Sequence, residues 1–557
     1  MDGEQSLLPE AMDQSFTIFV IIVYTLPLMY IIQKAVDEKQ SKTRESMRMM
    51  GMIESAYWFS WFVAFVILIL IVSTIMTIGS IPTMFQGSNY LIIFMLFFFY
   101  GLSLFGFAIL VITVFDSVKT ATAGGMIINL LTYYLRYLFS GTTPVGIRIL
   151  SSILPSLNIY SVNKSIWANQ AYESISFGTM GDLHDNYNFI YFFIMCLVNL
   201  IVWTIFSLYI SAILPTEFGT RKHPCFCLRR KRRMIKGQDN TYAFLEESGD
   251  EDSEDMNKTG AFERVGNDLK ELESENECLK IKKLSKIFSN GFQAVKDLSL
   301  TMYSGQIFAL LGHNGAGKTT TISMLTGLFG NSGGHAEAFG IDILNNQEEA
   351  RKIMGVCPQH NVLFPILTPE EHFDIFCDFK GIPNNQRRAA IEKCILDVDL
   401  KDKRHAIAKT LSGGQQRKVS VGIALLGDSK IVLLDEPTSG MDPTARRRLW
   451  DLLKENKEDR IIILTTHFME EADILGDRIA IMANGEAQCC GSSLFLKRKF
   501  GVGYNLTVDK TTQHQVPELE KFVMDRIPNA IKLSEVSSEA TFQLPNSEID
   551  KFKEFFI

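Results

Sequence analysis

Charge is scarce in the first part of this chain. Residues 1–215 hold 21 Lys, Arg, Asp and Glu, whereas the following 342 hold 96. A soluble domain is about a quarter charged, so the second part reads as globular and the first does not. A disulfide or metal framework is also lacking: the nine cysteines of the 557 residues are scattered without metal-ligand spacing. Eight of them lie in the charged part, which fits a reduced, cytosolic location. There is no basic excess. A net charge of −7 excludes a general nucleic-acid binder, which carries a basic patch or a high pI. No basic n-region precedes the first apolar stretch, so no cleavable signal is expected. A single soluble enzyme, a disordered chain and a collagen-like protein are all ruled out, and the length leaves room for about three or four domains.

What the first part does contain is apolar runs. A bilayer-crossing helix needs about 20 mainly apolar residues. Five stretches qualify: 16–34, 57–80, 90–114, 121–140 and 189–214. The segment between the first two carries Lys34, Lys39, Lys42, Arg44 and Arg48, and a basic run at 229–233 follows the fifth. Residues 1–15, 81–89 and 171–188 contain no Lys or Arg. Because Lys and Arg accumulate on the cytoplasmic side, 35–56 and everything after 215 are expected there, with the N-terminus outside. An upstream span is expected to precede this sequence. Residues 144–170, broken by Pro144 and Pro155, read as a re-entrant or interfacial hairpin on the outer side, where Asn163 heads a glycosylation sequon. Residues 216–275 read as a linker, basic and then acidic, with seven acids at 246–255.

Chemistry enters after Cys278. The strand-like run Ile307–Leu311 feeds Gly312, His313, Asn314, Gly315, Ala316, Gly317, Lys318, Thr319 and Thr320. This is the G-x4-G-K-T phosphate loop. Its glycines let backbone N–H groups curl around phosphates at the positive end of the next helix. Lys318 is placed to reach the β- and γ-phosphates and Thr319 to ligate Mg2+. A second apolar strand, Ile431–Leu434, ends in Asp435 and Glu436. Asp435 is expected to hold Mg2+ through water, and Glu436 to act as general base on the attacking water. Between them Leu411, Ser412, Gly413, Gly414 and Gln415 open a helical run.

Phosphate loop, LSGGQ and apolar-DE strand, in that order, resemble the ATP-binding cassette of ABC transporters. The resemblance implies ATP and Mg2+ as ligands and assigns further residues. Gln359 resembles the glutamine that touches Mg2+ and faces the membrane domain, and His467 the switch histidine on the γ-phosphate. Ser439 and Asp442 resemble the D-loop, and Phe288 the aromatic that stacks on adenine. It further implies that Ser412, Gly413, Gly414 and Gln415 act in trans, closing over ATP held by a second cassette. Arg48–Gly51, Ala56–Trp58, Thr120–Gly125, 215–219, 488–497 and 501–504 are similar to the A subfamily, whose members mostly move lipids and sterols. The sequence departs from that subfamily in lacking its first span, its large extracellular domain and the second half, and in Gln415, where methionine is common in the first cassette.

The expected architecture is therefore multidomain. An α-helical transmembrane bundle (1–215, with a coupling segment at 37–56) and the linker precede an α/β P-loop NTPase of the ABC type (276–500). A small α+β ferredoxin-like regulatory domain (501–557), cut before its last strand, follows. The expected function is ATP-hydrolysing transport of lipids or other hydrophobic cargo. It requires a second ABC half, supplied by a homodimer, a heterodimer or a C-terminal half. An ATP-gated channel or regulator is the alternative, and it predicts charged pore-lining residues within the spans. A soluble translation-type ABC ATPase is excluded by the five spans.

Overall fold

The computed structural model describes residues 4–82, 85, 88–138, 144–170, 187–214, 260–288, 290–501, 503–509, 516–535 and 539–556. The basic run, the acidic tract and 215–219 lie outside them. The apolar part forms α1 (Glu4–Gln40), α2 (Thr43–Met49), α3 (Glu54–Ser80), α4 (Tyr90–Val114), α5 (Val118–Tyr134), α6 (Val145–Ser151), α7 (Pro155–Gln170) and α8 (Phe189–Ile213). Of these, α1, α3, α4 and α8 are long and apolar enough to cross a membrane. Expected spans two, three and five match α3, α4 and α8 closely, whereas α1 runs on past residue 34 to Gln40.

The fourth expected span, 121–140, falls on two consecutive elements. Helix α5 starts at Val118 and ends after 17 residues, continuing as a 3-10 turn at Leu135–Leu138. Seventeen α-helical residues rise about 26 Å and the four 3-10 residues add about 8 Å, so the two together reach the roughly 30 Å of a hydrocarbon core. Arg136 lies in that turn, buried, with its guanidinium 4.3 Å from the Tyr133 ring centre and 4.8 Å from that of Tyr137.

Helix α4 is the most enclosed, and small residues bring its neighbours close. At Gly106 a Cβ would stand 2.6 Å from Trp203 Cβ, and Ser207 Oγ donates to the Gly106 carbonyl at 2.9 Å. Polar bridges tie α1 into the bundle: Asn129 Nδ2 donates to Thr25 Oγ1 at 3.1 Å and Asn163 Nδ2 to Thr17 Oγ1 at 3.0 Å. The sequon asparagine is thus a buried packing residue, only 1% exposed, and its amide is closed to a glycan in this fold. Residues 144–170 form the two helices α6 and α7 on either side of a short turn before Pro155.

The globular part begins earlier than the expected linker end at 275. Phe262 bridges to Cys490, and Glu263 accepts from the Ser492 amide and hydroxyl. Helix α9 (Asn267–Ser274) follows. Then come β1 (Cys278–Ile287), β2 (Gln293–Tyr303), β3 (Gln306–Leu311), α10 (Lys318–Leu325), β4 (Gly333–Ala338), β5 (Ile341–Asp342), α11 (Gln347–Ile353) and β6 (Met354–Cys357). Next are α12 (Pro369–Phe379), α13 (Asn384–Asp397), α14 (Gly413–Leu425), β7 (Ile431–Asp435), α15 (Pro443–Glu455), β8 (Ile461–Thr466), α16 (Met469–Leu475), β9 (Arg478–Ala483), β10 (Glu486–Gly491) and α17 (Ser493–Phe500).

Two sheets result. One is antiparallel, in the order β2-β1-β4-β5; the other runs β10-β9-β3-β8-β7-β6 and is parallel except for β10. Every residue of β6, β7 and β8 is buried, which explains their unbroken apolar runs. The chain closes with β11 (Tyr504–Asp509), α18 (Val516–Arg526), β12 (Ile531–Glu535), β13 (Glu539–Leu544) and α19 (Phe552–Phe556). Their antiparallel sheet, β11-β13-β12, packs Ala540, Phe542 and Leu544 against Val523 and Ile527.

The coupling segment sits on the cassette. Met49 and Met50, at the end of α2, are buried in the cassette's two apolar cores, and Phe364 and Phe379 of the cassette pack against the helical bundle.

Candidate active site

Strand β3 delivers the phosphate loop to the C-terminal edge of the parallel sheet, where open α/β folds bind ligands. Gly315 and Gly317 take φ of +84° and +102°, the left-handed region that a side chain disfavours. Gly312 lies against β9, where a Cβ would meet the Met482 carbonyl oxygen at 2.5 Å. His313 and Asn314 are exposed, and the His313 Nδ1 donates to the Asn314 carbonyl at 2.7 Å. Ala316 is buried and Thr320 half-buried. Lys318 opens α10 with its Nζ donating to the carbonyls of Gly312 (2.7 Å) and His313 (3.0 Å). Burial pushes its ammonium below the usual lysine range, and the charges of Glu436 and Asp435 act the other way.

Asp435 and Glu436 leave β7 beside this loop. Thr319 Oγ1 donates to Asp435 Oδ1 at 3.1 Å, and Thr465 Oγ1 donates to the same oxygen. Burial, more than the neighbouring Glu436 charge, raises the Asp435 carboxyl. Glu436 has φ +49°. Its N–H donates to the Thr465 carbonyl (3.2 Å) and hydroxyl (3.0 Å). One carboxylate oxygen accepts from Gln359 Nε2 at 3.3 Å, and the other lies 3.2 Å from His467 Nδ1. Gln359, Thr465 and His467, all distant in sequence, thus surround Glu436, and Thr319 joins the adjoining Asp435. Hydroxyl, amide and carboxylate oxygens are the hard donors that suit Mg2+, which takes few protein ligands and completes its shell from phosphate and water.

The signature residues stand apart from this cluster. Ser412 caps α14 in a reciprocal box: its Oγ accepts from the Gln415 N–H at 3.3 Å, and Gln415 Oε1 accepts from the Ser412 N–H at 3.0 Å. A methionine at 415 could not close this box. The N–H groups of Gly413 and Gly414 remain at the helix end, on an exposed edge. Among the described residues, no hydrogen bond joins Ser412–Gln415 to the phosphate loop. The D-loop connects back to the site, since the Ser439 N–H donates to the Glu436 carbonyl at 3.2 Å. Asp442 caps α15 through the Ala445 N–H at 2.9 Å, and such backbone hydrogen bonds hold its carboxyl low. Phe288, half-buried beyond β1, meets Phe329 edge to face at 5.6 Å, with Lys286 Nζ 5.4 Å from its ring centre.

Two residues of the site escaped the motif reading. Arg417 is 2% exposed and donates to the carbonyls of Pro358, Gln359, Asp435, Glu436 and Pro437. It locks α14 to both acidic residues and to the Gln359 loop. Thr465 orients Asp435 and Glu436 together. The available signal for Arg417 was an arginine one turn into an otherwise core-facing helix.

Known proteins match along the whole chain. Residues 295–439 match the family model described as ABC transporter, and 5–214 that described as ABC-2 family transporter protein. The chain is 35% identical over 569 residues to the phospholipid-transporting ATPase ABCA3 of Homo sapiens, covering 98% of this chain and 32% of that protein. It is 34% identical to ATP-binding cassette sub-family A member 17 of Rattus norvegicus, covering 98% and 31%. For the cholesterol transporter ABCA5 of Homo sapiens the identity is 33%, covering 97% and 33%. The chain spans about a third of the length of these curated relatives. Among solved structures, an ATP-binding subunit of an ABC transporter aligns with 40% of this chain and 93% of its own, at 28% identity and a TM-score of 0.38. A dimeric ATP-binding cassette in a post-hydrolysis state, bound to ADP and Pi, aligns with 39% of this chain and 98% of its own, at 27% identity and a TM-score of 0.36.

Proposed function

From a chain that belongs to the A subfamily of ABC transporters, we propose an ATPase that moves lipid or sterol as one half of a two-cassette assembly. The observation that carries this is Glu436, held between Gln359 and His467 beside the Thr319–Asp435 pair. The N–H groups of the phosphate loop wrap the β- and γ-phosphates, and Lys318 exchanges its two carbonyl partners for phosphate oxygens. When bound, Mg2+ neutralises phosphate charge, with Thr319, Asp435 and Gln359 as its protein partners. Glu436 takes the proton of the attacking water, and His467 turns toward the γ-phosphate. Phe288 offers its ring to adenine.

Ser412, Gly413 and Gly414 at the start of α14 close the second cassette's ATP, because a helix N-terminus favours phosphate. A second half, identical, related or on the same polypeptide, supplies the reciprocal serine. Clamping then moves α2 through Met49 and Met50, and with it the spans.

Helices α1, α3, α4, α5 and α8 cross the membrane, with the cassette cytoplasmic and the N-terminus outside, an orientation supported by the Lys and Arg distribution. The order β11-β13-β12, with α18 after the first strand and α19 after the third, supports a ferredoxin-like regulatory fold. The cargo class rests on relatives named as phospholipid and cholesterol transporters.

Glu436→Gln in membranes tests the proposal. ATP binding is retained while turnover falls by about 10²–10⁴-fold, the usual worth of a general base. Unchanged turnover would remove Glu436 from the role.

A further inference from the structure

Lys380 is a cation held by carbonyls and a hydroxyl rather than by an acid. Lys380 follows α12 directly, and its ammonium donates to the carbonyls of Leu426 (2.7 Å) and Ala424 (3.4 Å) and to Ser429 Oγ. Arg460, just before β8, donates to the alternate carbonyls of Leu425 (3.2 Å) and Gly427 (3.0 Å). Four consecutive carbonyls at the C-terminal end of α14 are therefore held by two cations. A helix leaves such carbonyls without internal partners, and its C-terminal end attracts positive charge. The two cations come from different places. Arg460 belongs to the central sheet, whereas Lys380 belongs to the helical layer beneath the membrane part. Burial, reinforced by Arg460, pushes the Lys380 ammonium down to about 7.

The residue before Lys380 meets the coupling segment. Gly51, two residues beyond α2, takes φ +104°, and a Cβ there would stand 2.8 Å from the Phe379 carbonyl oxygen. Backbone thus lies on backbone at this point. Phe379 itself packs against both the bundle and the cassette core. At the other end of α14, about 20 Å away for 13 residues, stands Ser412.

We propose that Lys380 is a positioning residue that ties the coupling segment, through Gly51 and Phe379, to the C-terminal end of the signature helix, so that movement of the spans and placement of Ser412 change together. This deepens the transport reading and rests on it. Arg460 keeps the same helix end in register with the sheet, and Lys380 supplies the link that responds to the membrane.

The test compares ATPase activity of the full chain, with its partner half, in vesicles containing phospholipid and cholesterol and in detergent without them. For Lys380→Met, the lipid-stimulated rate relative to the basal rate falls roughly fivefold or more. The basal rate and the KM for ATP stay within about twofold of wild type. Lys380→Arg, which keeps the charge and its donors, restores most of the stimulation. A protein merely weakened in its fold would lose basal and stimulated rates in parallel and unfold at lower temperature, and that result would overturn the proposal. So would wild-type stimulation in Lys380→Met. Absence of ATP turnover in the wild type itself would instead overturn the transport reading.

Discussion

Asp435 is a carboxylate placed where burial disfavours its charge, with hydroxyl donors only partly offsetting the cost. An acid whose folded pKa is raised contributes its stability at low pH and loses it as pH rises from the unfolded pKa through the folded one. At neutral pH the nucleotide-free protein therefore bears that cost. Asp435→Asn, which keeps the shape and the Thr319 contact, should raise the thermal midpoint of the nucleotide-free protein by roughly 2–4 °C. The same change should abolish Mg2+-dependent turnover. Scanning calorimetry at pH 7 and pH 5 checks the sign, since the gain must shrink at the lower pH; a lowered midpoint at pH 7 would contradict it.

This residue was legible because phosphate chemistry demands contiguous motifs. The loop 312–320 and the Asp435–Glu436 pair each sit within one strand-to-turn segment. Arg417 was not legible, because its partners are main-chain carbonyls at 358, 359 and 435–437. No spacing rule encodes such contacts. Nor does sequence show that Glu436 takes a left-handed backbone, with φ +49°.

At the scale of elements, close packing in the bundle depends on where side chains are missing. A Cβ at Gly106 would stand 2.6 Å from Trp203 Cβ and 2.7 Å from the Thr204 nitrogen, whereas one at Gly79 would meet nothing within 4 Å. Gly106→Leu should therefore push α4 and α8 apart at a cost of about 1–3 kcal/mol, read as a lower thermal midpoint in detergent. Gly79→Ala should leave the midpoint within a degree or so. Equal effects at the two sites would refute this packing account. Apolar length located α3, α4 and α8 well. In the fourth span hydropathy does not register that the α-helix gives way after Tyr134 to a 3-10 turn carrying Arg136. It also set the linker boundary too late, because the pairing of Phe262 with Cys490 joins residues 228 positions apart in a segment of polar composition.

At the scale of the molecule, the helical part and the cassette meet through Met49, Met50 and Gly51. Their seat was expected only by resemblance to a coupling segment, and the burial of both methionines gives it a physical form. The partner is a different matter. Ser412 and Gly413 stand exposed and Gly414 half-buried at a helix N-terminus, unbonded to their own phosphate loop among the described residues, so they serve ATP only if a second cassette brings its site to them. The most direct measurement is steady-state ATP turnover of the membrane-embedded protein carrying Ser412→Trp, alongside nucleotide binding. A shared pocket predicts that turnover drops about 10²–10³-fold, the worth of lost phosphate-facing donors, while ATP binding to the 312–320 loop is kept. Wild-type turnover from that variant would show that each cassette completes its own site, and the account would fail.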